Sequence, residues 1–166
     1  AMKFEMPTEV RGRILYGAKR ADSPDDVPME FQGELHFANG TSATFYNSFR
    51  GNHQQWVNIS GTKGYLEWKD FVLPYLDNTV SFDVANHDFV ADGCRFNMEK
   101  YLRTVSLPEF SNNAENAQET NLFRNFASLA LSGNVDSHWP DIALKTQQVL
   151  DAALKSARNG SEPVML

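Results

Sequence analysis

Apolar and polar side chains alternate along much of the first half of the chain, as is typical of β-strands. Residues 8–17, which follow Pro7, have the composition of one strand, and residues 29–37 have the clearest alternation. The apolar positions of the second segment are Met29, Phe31, Leu35 and Phe37. A period of two places these side chains on one face of a strand and the polar ones on the other. The pattern predicts strands with one buried face and one wetter face.

Two turn signals join the strands into hairpins. Asn39-Gly40 supplies the positive φ angles that a two-residue hairpin turn requires, so residues 41–50 are predicted to return antiparallel to the preceding strand. A second hairpin is predicted where residues 56–60 and 65–68 flank Gly61-Thr62-Lys63-Gly64. The glycines of that connection suit a turn rather than a phosphate cradle.

The segment 75–112 has a weaker pattern than its neighbours. Residues 79–84 and 103–107 have strand composition, and Pro108 follows the second of them. We interpret the whole segment as an arm or insertion of the domain.

The last third of the chain has helical spacing. A first helix is predicted over residues 114–131, with Asn113 as its cap, Gly133 as its stop and an apolar stripe that packs on the sheet. A second is predicted over residues 140–159, with Pro140 in its first turn and Gly160 after its end. Strands followed by helices predict an α+β fold, namely one antiparallel open-faced sheet with helices on one face. No linker divides the chain, so residues 1–166 are predicted to form a single domain.

Charge and composition exclude several partners. The chain has 15 Lys and Arg against 21 Asp and Glu, a net charge of −6, and its basic residues are scattered. Without a continuous positive stripe we expect no nucleic acid partner. The sequence has no apolar run of signal-peptide or membrane-span length, so no membrane partner is expected. The location stays open, with the cytoplasm as the default and an export signal on a longer parent as the alternative.

Signals for catalysis are weak. The four histidines lack the spacing and the Cys or carboxylate frame of a zinc site, and there is no Gly-x-Ser-x-Gly elbow for a hydrolase triad. Cys94 precedes Arg95, a cation that would favour a nucleophilic role for the thiol, although a lone Cys is more often a small packed residue. We therefore assign no catalytic residue and no metal ligand.

The segment 47–56 is the best candidate for a binding site. It concentrates amide, imidazole, guanidinium and indole groups between two predicted strands, and the substrate contacts proposed from it are Arg50, His53, Gln55 and Trp56. Sugars and polyols are bound by planar hydrogen-bonding side chains together with an aromatic face. The alternative is an ordinary polar connection with Trp56 in the core.

Several segments resemble one oxidoreductase family. They are Gly33-Glu34-Leu35, Ile59 to Leu66, Trp139 to Lys145 before the second helix, Ala157 to Gly160 at its end, and the tail Pro163 to Leu166. Together they resemble the C-terminal domain of the Gfo/Idh/MocA family, which is related to glucose-fructose oxidoreductase and inositol dehydrogenase. The resemblance covers chiefly residues 28–74 and 115–166.

The resemblance implies a substrate-binding and oligomerisation domain of an NAD(P)-dependent enzyme that acts on a sugar or polyol. In such enzymes the sheet lies beside the nicotinamide and often forms the subunit interface, so a homo-oligomer through the sheet face is expected. The N-terminal Rossmann domain of the family is expected to be missing here, because the chain has no Gly-x-Gly-x-x-Gly turn. NAD or NADP is then implied for a longer parent, with no cofactor site in these residues. A stand-alone self-associating or carbohydrate-binding module is the alternative.

Overall fold

The structure is a computed structural model that describes residues 4–72, 79–109 and 114–166. It contains eight strands and two helices within those residues. The elements are β1 (Glu9–Ala18), β2 (Val27–His36), β3 (Ser42–Ser48), β4 (Val57–Gly61), β5 (Gly64–Trp68), β6 (Thr79–Asp92), β7 (Arg95–Pro108), α1 (Gln118–Ser132), α2 (His138–Arg158) and β8 (Val164–Met165). This composition confirms the α+β class.

The chain divides into two compact units. The first unit comprises Ala1–Asn52 and Val135–Leu166, and the second comprises His53–Asn134. Each holds one antiparallel sheet of four strands, in the order β3-β2-β1-β8 in the first unit and β4-β5-β6-β7 in the second. The prediction of a single sheet was wrong because alternation along a strand identifies its faces but not its neighbours.

The core of the first unit lies between α2 and β1. Val10 is fully buried against Ala152 and Ala153, which are 4% and 2% exposed. Four partly buried apolar side chains complete the cluster, namely Phe31, Leu35, Val149 and Val164. Small residues on α2 let the helix backbone approach the strand closely. A Cβ added to Gly12 would lie 2.1 Å from the carbonyl oxygen of Ala153, so glycine is required there by space.

A buried hydroxyl stabilises the contact between α2 and β1. Ser156 is fully buried on α2, and its Oγ accepts a hydrogen bond from the backbone N–H of Gly12 at 3.0 Å. The hydroxyl donates to the carbonyl oxygen of Glu162 at 2.6 Å, beyond the end of the helix. One side chain therefore links β1, α2 and the chain that leads to β8.

The first hairpin is confirmed, but its turn differs from the prediction. The ladder of β2 and β3 closes at His36 opposite Ser42, and the N–H of Phe37 donates to the carbonyl of Thr41 at 2.9 Å. The N–H of Gly40 donates to the carbonyl of Phe37, and Gly40 has φ of 81° while Asn39 has none in the positive range. The connection is therefore a turn followed by one left-handed glycine, which is a common alternative to the two-residue loop.

The ladder between β1 and β2 contains two register shifts. Ile14 stands opposite Phe31, Tyr16 opposite Glu30 and Gly17 opposite Pro28. Leu15 on β1 and Met29 on β2 are each left without a directly opposed residue. The two irregularities cancel, because the pairs from Gly17 onward have the same register as the pairs up to Ile14. Their local effect is to set Tyr16 beside Glu30.

The second unit is built on two hairpins. The predicted hairpin of β4 and β5 is confirmed, with Gly61 opposite Gly64 and a two-residue loop between them. Beyond it, β6 and β7 pair along 14 residues each, from Thr79 opposite Pro108 to Asp92 opposite Arg95. The strands predicted over 79–84 and 103–107 are the inner ends of this ribbon. The outer halves of both strands were missed because the hairpin signal at Asp92-Gly93 was not used. Gly93, with φ of 57°, and Cys94 form a two-residue loop between Asp92 and Arg95.

Apolar side chains from all four strands lie in one row on one face of the second sheet. Trp68 packs beside Phe82, with ring centroids 5.6 Å apart, and the two residues are directly opposed in the ladder. Val57 on β4 and Val105 on β7 continue the same row. Buried residues are few, with Val80 and Ala85 the two on β6.

Both helices form near their predicted positions. The left-handed Gly133, with φ of 68°, ends α1, and Pro140 lies in the first turn of α2, which ends before Gly160. The predicted cap Asn113 lies outside the described residues. The prediction that the stripe of α1 packs on the sheet was wrong, because no α1 residue is buried and Phe123 and Phe126 are 69% and 70% exposed. A stripe of apolar residues indicates that a helix can pack, but not what it packs against.

We expect Ser156→Ala to lower the free energy of unfolding by about 1–3 kcal/mol, because the N–H of Gly12 and the carbonyl of Glu162 would lose their buried partner. Urea unfolding measures the change. Thr146→Ala is the matched control, since it removes an exposed hydroxyl from the same helix that donates to the carbonyl of Ile142. Equal stability changes for the two variants would contradict the role assigned to Ser156.

A second prediction concerns an exposed carboxylate on β7. Tyr101 donates a hydrogen bond to Glu99, and Asn97 donates another at 2.9 Å; with Tyr101 the larger cause, they hold the pKa of Glu99 below its ordinary value of 4.5. Because the folded-state pKa is lowered, the stability gained is present above the ordinary value and is lost as pH falls through the native value. Tyr101→Phe is expected to raise the pKa of Glu99.

NMR titration of the side-chain carboxyl carbon measures this pKa directly. Tyr46→Phe serves as the control, because it removes a phenol that donates to Glu30 in the first unit and does not touch Glu99. A Glu99 pKa that is the same in wild type and Tyr101→Phe would refute the effect ascribed to the Tyr101 hydroxyl.

Candidate functional site

A cleft lies on the β4–β5 hairpin of the second unit. Its volume is about 360 Å³, and its lining consists of Gln54, Trp56, Asn58, Glu67 and Lys69. The hairpin explains why these residues meet. Asn58 on β4 is directly opposite Glu67 on β5. Trp56 and Lys69 each lie two residues farther from the turn than these, on the same side of the sheet.

The indole of Trp56 is the largest apolar surface in this cleft. Trp56 is 63% exposed, so the alternative that placed it in the core does not hold. A flat exposed ring offers a stacking surface for the C–H face of a sugar or for another planar or apolar group. Its position in a cleft among polar side chains makes these residues a candidate binding site.

The polar lining of the cleft supplies both donors and acceptors. The amides of Gln54 and Asn58 each provide a carbonyl oxygen and an NH₂ group, the carboxylate of Glu67 accepts, and the ammonium of Lys69 donates. Ser60 extends the row, and its hydroxyl donates to Oδ1 of Asn58 at 3.1 Å. A ligand that carries several hydroxyl groups matches this mixture, because each hydroxyl both donates and accepts.

Gln55 is engaged differently from its neighbour Trp56. Its side-chain amide donates to Asp70, the two residues form an isolated parallel bridge, and the N–H of Phe71 donates to the carbonyl of Gln55 at 3.2 Å. These contacts tie the segment before β4 to the segment after β5. Gln55 therefore positions the chain that carries Trp56, and it does not line the cleft. His53 is exposed in the same unit and does not line it either.

Arg50 belongs to the first unit, in a cluster of its own. Its guanidinium lies 4.1 Å from the centre of the Tyr16 ring, and Nη1 lies 3.6 Å from Oε2 of Glu30. Tyr46 donates a hydrogen bond to the other oxygen of that carboxylate. A cation over an aromatic face adds about 0.5–1 kcal/mol at an exposed site. The four sequence-based substrate contacts are therefore divided between the two units, with Arg50 in one and the other three in the second.

The cluster around Arg50 lies on the outer face of the first sheet, which we define as the face that carries Arg11, Glu30, Gln32, Glu34 and Tyr46. These residues alternate with those that pack towards α2, and the ladder sets Arg11 opposite Glu34 and Gln32 opposite Tyr46. A hydrogen bond to Glu9 at 2.7 Å is the largest cause that raises the pKa of Arg11. The outer face thus combines half-exposed phenols with charges of both signs.

A second cleft, of about 640 Å³, lies beside the β4–β5 turn. It is lined by Ser60, Gly61, Thr62, Lys63, Gly64, Tyr65, Asn86, His87 and Asp88. Tyr65 and His87 form its aromatic part, with ring centroids 5.7 Å apart. This second cleft is more open to solvent than the Trp56 cleft.

Sequence reasoning identified Trp56 but missed Glu67 and Lys69 as its neighbours. The signal was present in the predicted hairpin, because a turn between Gly61 and Gly64 fixes which residues stand opposite each other. Counting outward from that turn pairs Asn58 with Glu67 on one side of the sheet. The sequence-based search considered only residues that are adjacent in the chain.

Four further observations complete the description of these residues. Within the described residues, no three His, Cys, Asp or Glu side chains come together as possible metal ligands, and Cys94 is exposed at the tip of the β6–β7 ribbon. Neither helix in this part of the chain has the length and apolar composition needed to cross a bilayer. No protein-family model matches the chain, so a functional assignment rests on the residues described above.

Proposed function

We propose that the chain is the substrate-binding and dimerisation domain of an NAD(P)-dependent oxidoreductase that acts on a sugar or polyol. The observation that carries the proposal is the cleft in which the exposed indole of Trp56 stands among two amides, a carboxylate and an ammonium group. Stacking on an aromatic face combined with several hydrogen-bonding side chains is the usual way in which a protein holds a polyhydroxylated ligand. The resemblance of several segments to sugar and polyol oxidoreductases supports the same substrate class.

In this proposal the chain binds and orients the substrate, and another domain performs the redox chemistry. The sequence has no Gly-x-Gly-x-x-Gly turn, so it offers no such cradle for the pyrophosphate of NAD or NADP. No residue of the chain is therefore assigned to the cofactor or to a step of hydride transfer. The contribution of Glu67 and Lys69 is to bind and orient hydroxyl groups, which requires placement within hydrogen-bond reach.

Dimerisation is assigned to the outer face of the first sheet. Tyr16 and Tyr46 are 45% and 56% exposed there, and Arg11 and Glu34 bring opposite charges to the same face. A two-fold axis would set this face against its own copy, and tyrosine and arginine are enriched in protein interfaces. Arg50 then belongs to the interface side of the domain rather than to the cleft.

A stand-alone carbohydrate-binding module is the second candidate, because all residues that line the Trp56 cleft lie within the second unit. Ligand binding in that case would need no other domain. An immunoblot of the native gene product separates the two candidates: a product larger by a domain of roughly 100–200 residues favours the oxidoreductase, and a product of the size of this chain favours the module.

We expect the chain to bind sugars or polyols, and Trp56→Ala to weaken that binding by about tenfold to a hundredfold, because an aromatic contact of this kind contributes roughly 1–3 kcal/mol. Isothermal titration calorimetry with glucose, sorbitol and inositol measures the affinity. Phe49→Ala is the matched control, since Phe49 is also a highly exposed aromatic but lies in the first unit. Wild-type affinity in Trp56→Ala would place the site elsewhere, and no binding of any of these compounds by the wild type would refute the proposed ligand class.

Another prediction concerns the dehydrogenase activity of this chain alone. We mix the chain with NAD or NADP and a polyol, and expect no increase in the absorbance of NADH or NADPH over time, because the chain lacks the phosphate-binding turn. Fluorescence titration with the reduced cofactor tests binding in the same samples, and a commercial polyol dehydrogenase provides the positive control. Turnover by this chain alone would overturn the assignment of the redox chemistry to another domain.

A further inference from the structure

Strand β7 forms one border of the second sheet. Within the described residues it is hydrogen-bonded to β6 on one side and has no strand on the other. It is 14 residues long, whereas sheets usually shield such edges with short strands, bulges or covering loops. Its ladder with β6 runs from Arg95 to Pro108 without a register shift. A long, regular and unpaired edge is a template for another strand.

The side chains of β7 limit which strand can fit. Its middle carries three charges, Glu99, Lys100 and Arg103. A second copy of β7 that continues the sheet about a two-fold axis runs antiparallel, and directly opposed residues then project from the same face. Each possible axis therefore passes through one residue of β7, and each choice fixes all the other pairs.

Comparison of these registers selects one of them. An axis at Glu99, Lys100 or Arg103 sets that charge against its own copy, which is destabilising. An axis at Met98 or Leu102 sets no two charged residues of β7 directly across from each other. An axis at Tyr101 sets Glu99 opposite Arg103 of the second copy, and the two-fold symmetry repeats the pair. Among the registers centred between residues 98 and 103, this one alone sets opposite charges of β7 against each other without any like-charge pair.

We propose that β7 pairs edge to edge with β7 of a second copy of this chain, with Tyr101 at the two-fold axis and Glu99 opposite Arg103 of the other copy. The described contacts suit this arrangement. Tyr101 and Asn97 both donate hydrogen bonds to the Glu99 carboxylate and hold it along the strand, where the arriving guanidinium would lie. The guanidinium and carboxylate then form a charge-assisted hydrogen bond across the new ladder.

The same pairing also covers exposed apolar side chains on the opposite face of β7. Phe96, Met98 and Leu102 are 73%, 68% and 53% exposed on that face. In the proposed register Leu102 lies opposite Lys100 of the second copy, whose methylene chain can cover apolar surface while its ammonium group stays in water. Met98 lies opposite Thr104 and Phe96 opposite Ser106. Exposed apolar side chains of this kind are a common mark of an interface.

This contact is separate from the outer face of the first sheet, the surface proposed for dimerisation of the domain. It uses a different unit, different residues and the edge of a sheet instead of its face. The inference does not depend on the ligand, on the redox chemistry or on the outer-face contact.

Reciprocal charge reversal tests the pairing. Arg103→Glu sets carboxylate against carboxylate twice in each dimer, and Glu99→Arg sets guanidinium against guanidinium, so each variant is expected to weaken self-association by about tenfold or more. The double variant Glu99→Arg with Arg103→Glu restores opposite charges across the axis and is expected to recover association. Sedimentation equilibrium over a dilution series measures the dissociation constant of each protein.

Lys63→Glu is the matched control, because it changes the net charge by the same amount as Arg103→Glu within the same unit but lies in the loop between β4 and β5, outside β7. Its association is expected to stay within about threefold of wild type, because no charge of β7 gains a like-charged partner. Circular dichroism establishes that the variants keep their secondary structure. Single reversals that associate as wild type does, or a double reversal no better than the singles, would overturn the register. A wild-type chain that associates no more strongly than Arg103→Glu would overturn the edge interface, whether or not the outer face also associates.

Discussion

The close approach of α2 to β1 is the constraint on which the first unit depends. At Gly12 the strand backbone leaves no space for a side chain, because a Cβ there would meet the carbonyl of Ala153. The packing thus replaces side-chain bulk by backbone contact, with Ala152 and Ala153 on the helix and Val10 beside them. Interiors packed this tightly respond to the addition of even one methyl group. The fully buried hydroxyl of Ser156 then supplies the hydrogen bond that such a close contact requires.

The second unit has the opposite character. Its described residues include few buried side chains, and its β6–β7 ribbon extends past the residues that pair with β5. Because few side chains are buried, local unfolding costs less free energy here than in a packed core. Binding surfaces commonly lie in such regions. The Trp56 cleft and the β7 edge both lie in this unit. The chain therefore separates a tightly packed part from a part whose side chains are available to other molecules.

The sequence predicted elements better than their arrangement. Hairpins at Asn39-Gly40 and Gly61 to Gly64 and the helix ends at Gly133 and Gly160 all followed from local chemistry, since positive φ angles restrict the residue type. The partition into two sheets did not follow, because pairing between strands depends on contacts that are distant in sequence. The exposed stripe of α1 shows the same limit: spacing identifies an apolar face but not what covers it.

The candidate site shows where the same limit lies for function. Trp56 was found because its residue type is informative by itself, whereas Glu67 and Lys69 became relevant only through the register of the hairpin. Gln55 and Trp56 are adjacent in sequence, but their side chains have different contacts, because Gln55 donates a hydrogen bond to Asp70. Arg50 is six residues from Trp56, yet it belongs to the other unit, where Tyr16 and Glu30 engage it.

The paired register shifts at Leu15 and Met29 have a consequence for how this sheet can change in evolution. Regular alternation would place Tyr16 on the same side as Gly12 and Ile14, facing the helix. The extra residue on β1 sets Tyr16 beside Glu30 instead, and the extra residue on β2 returns the strands to their original alignment. Loss of one codon from a single strand would leave the other shift uncompensated and displace every pair beyond it. Insertions and deletions at these two positions are therefore expected to occur together among related chains.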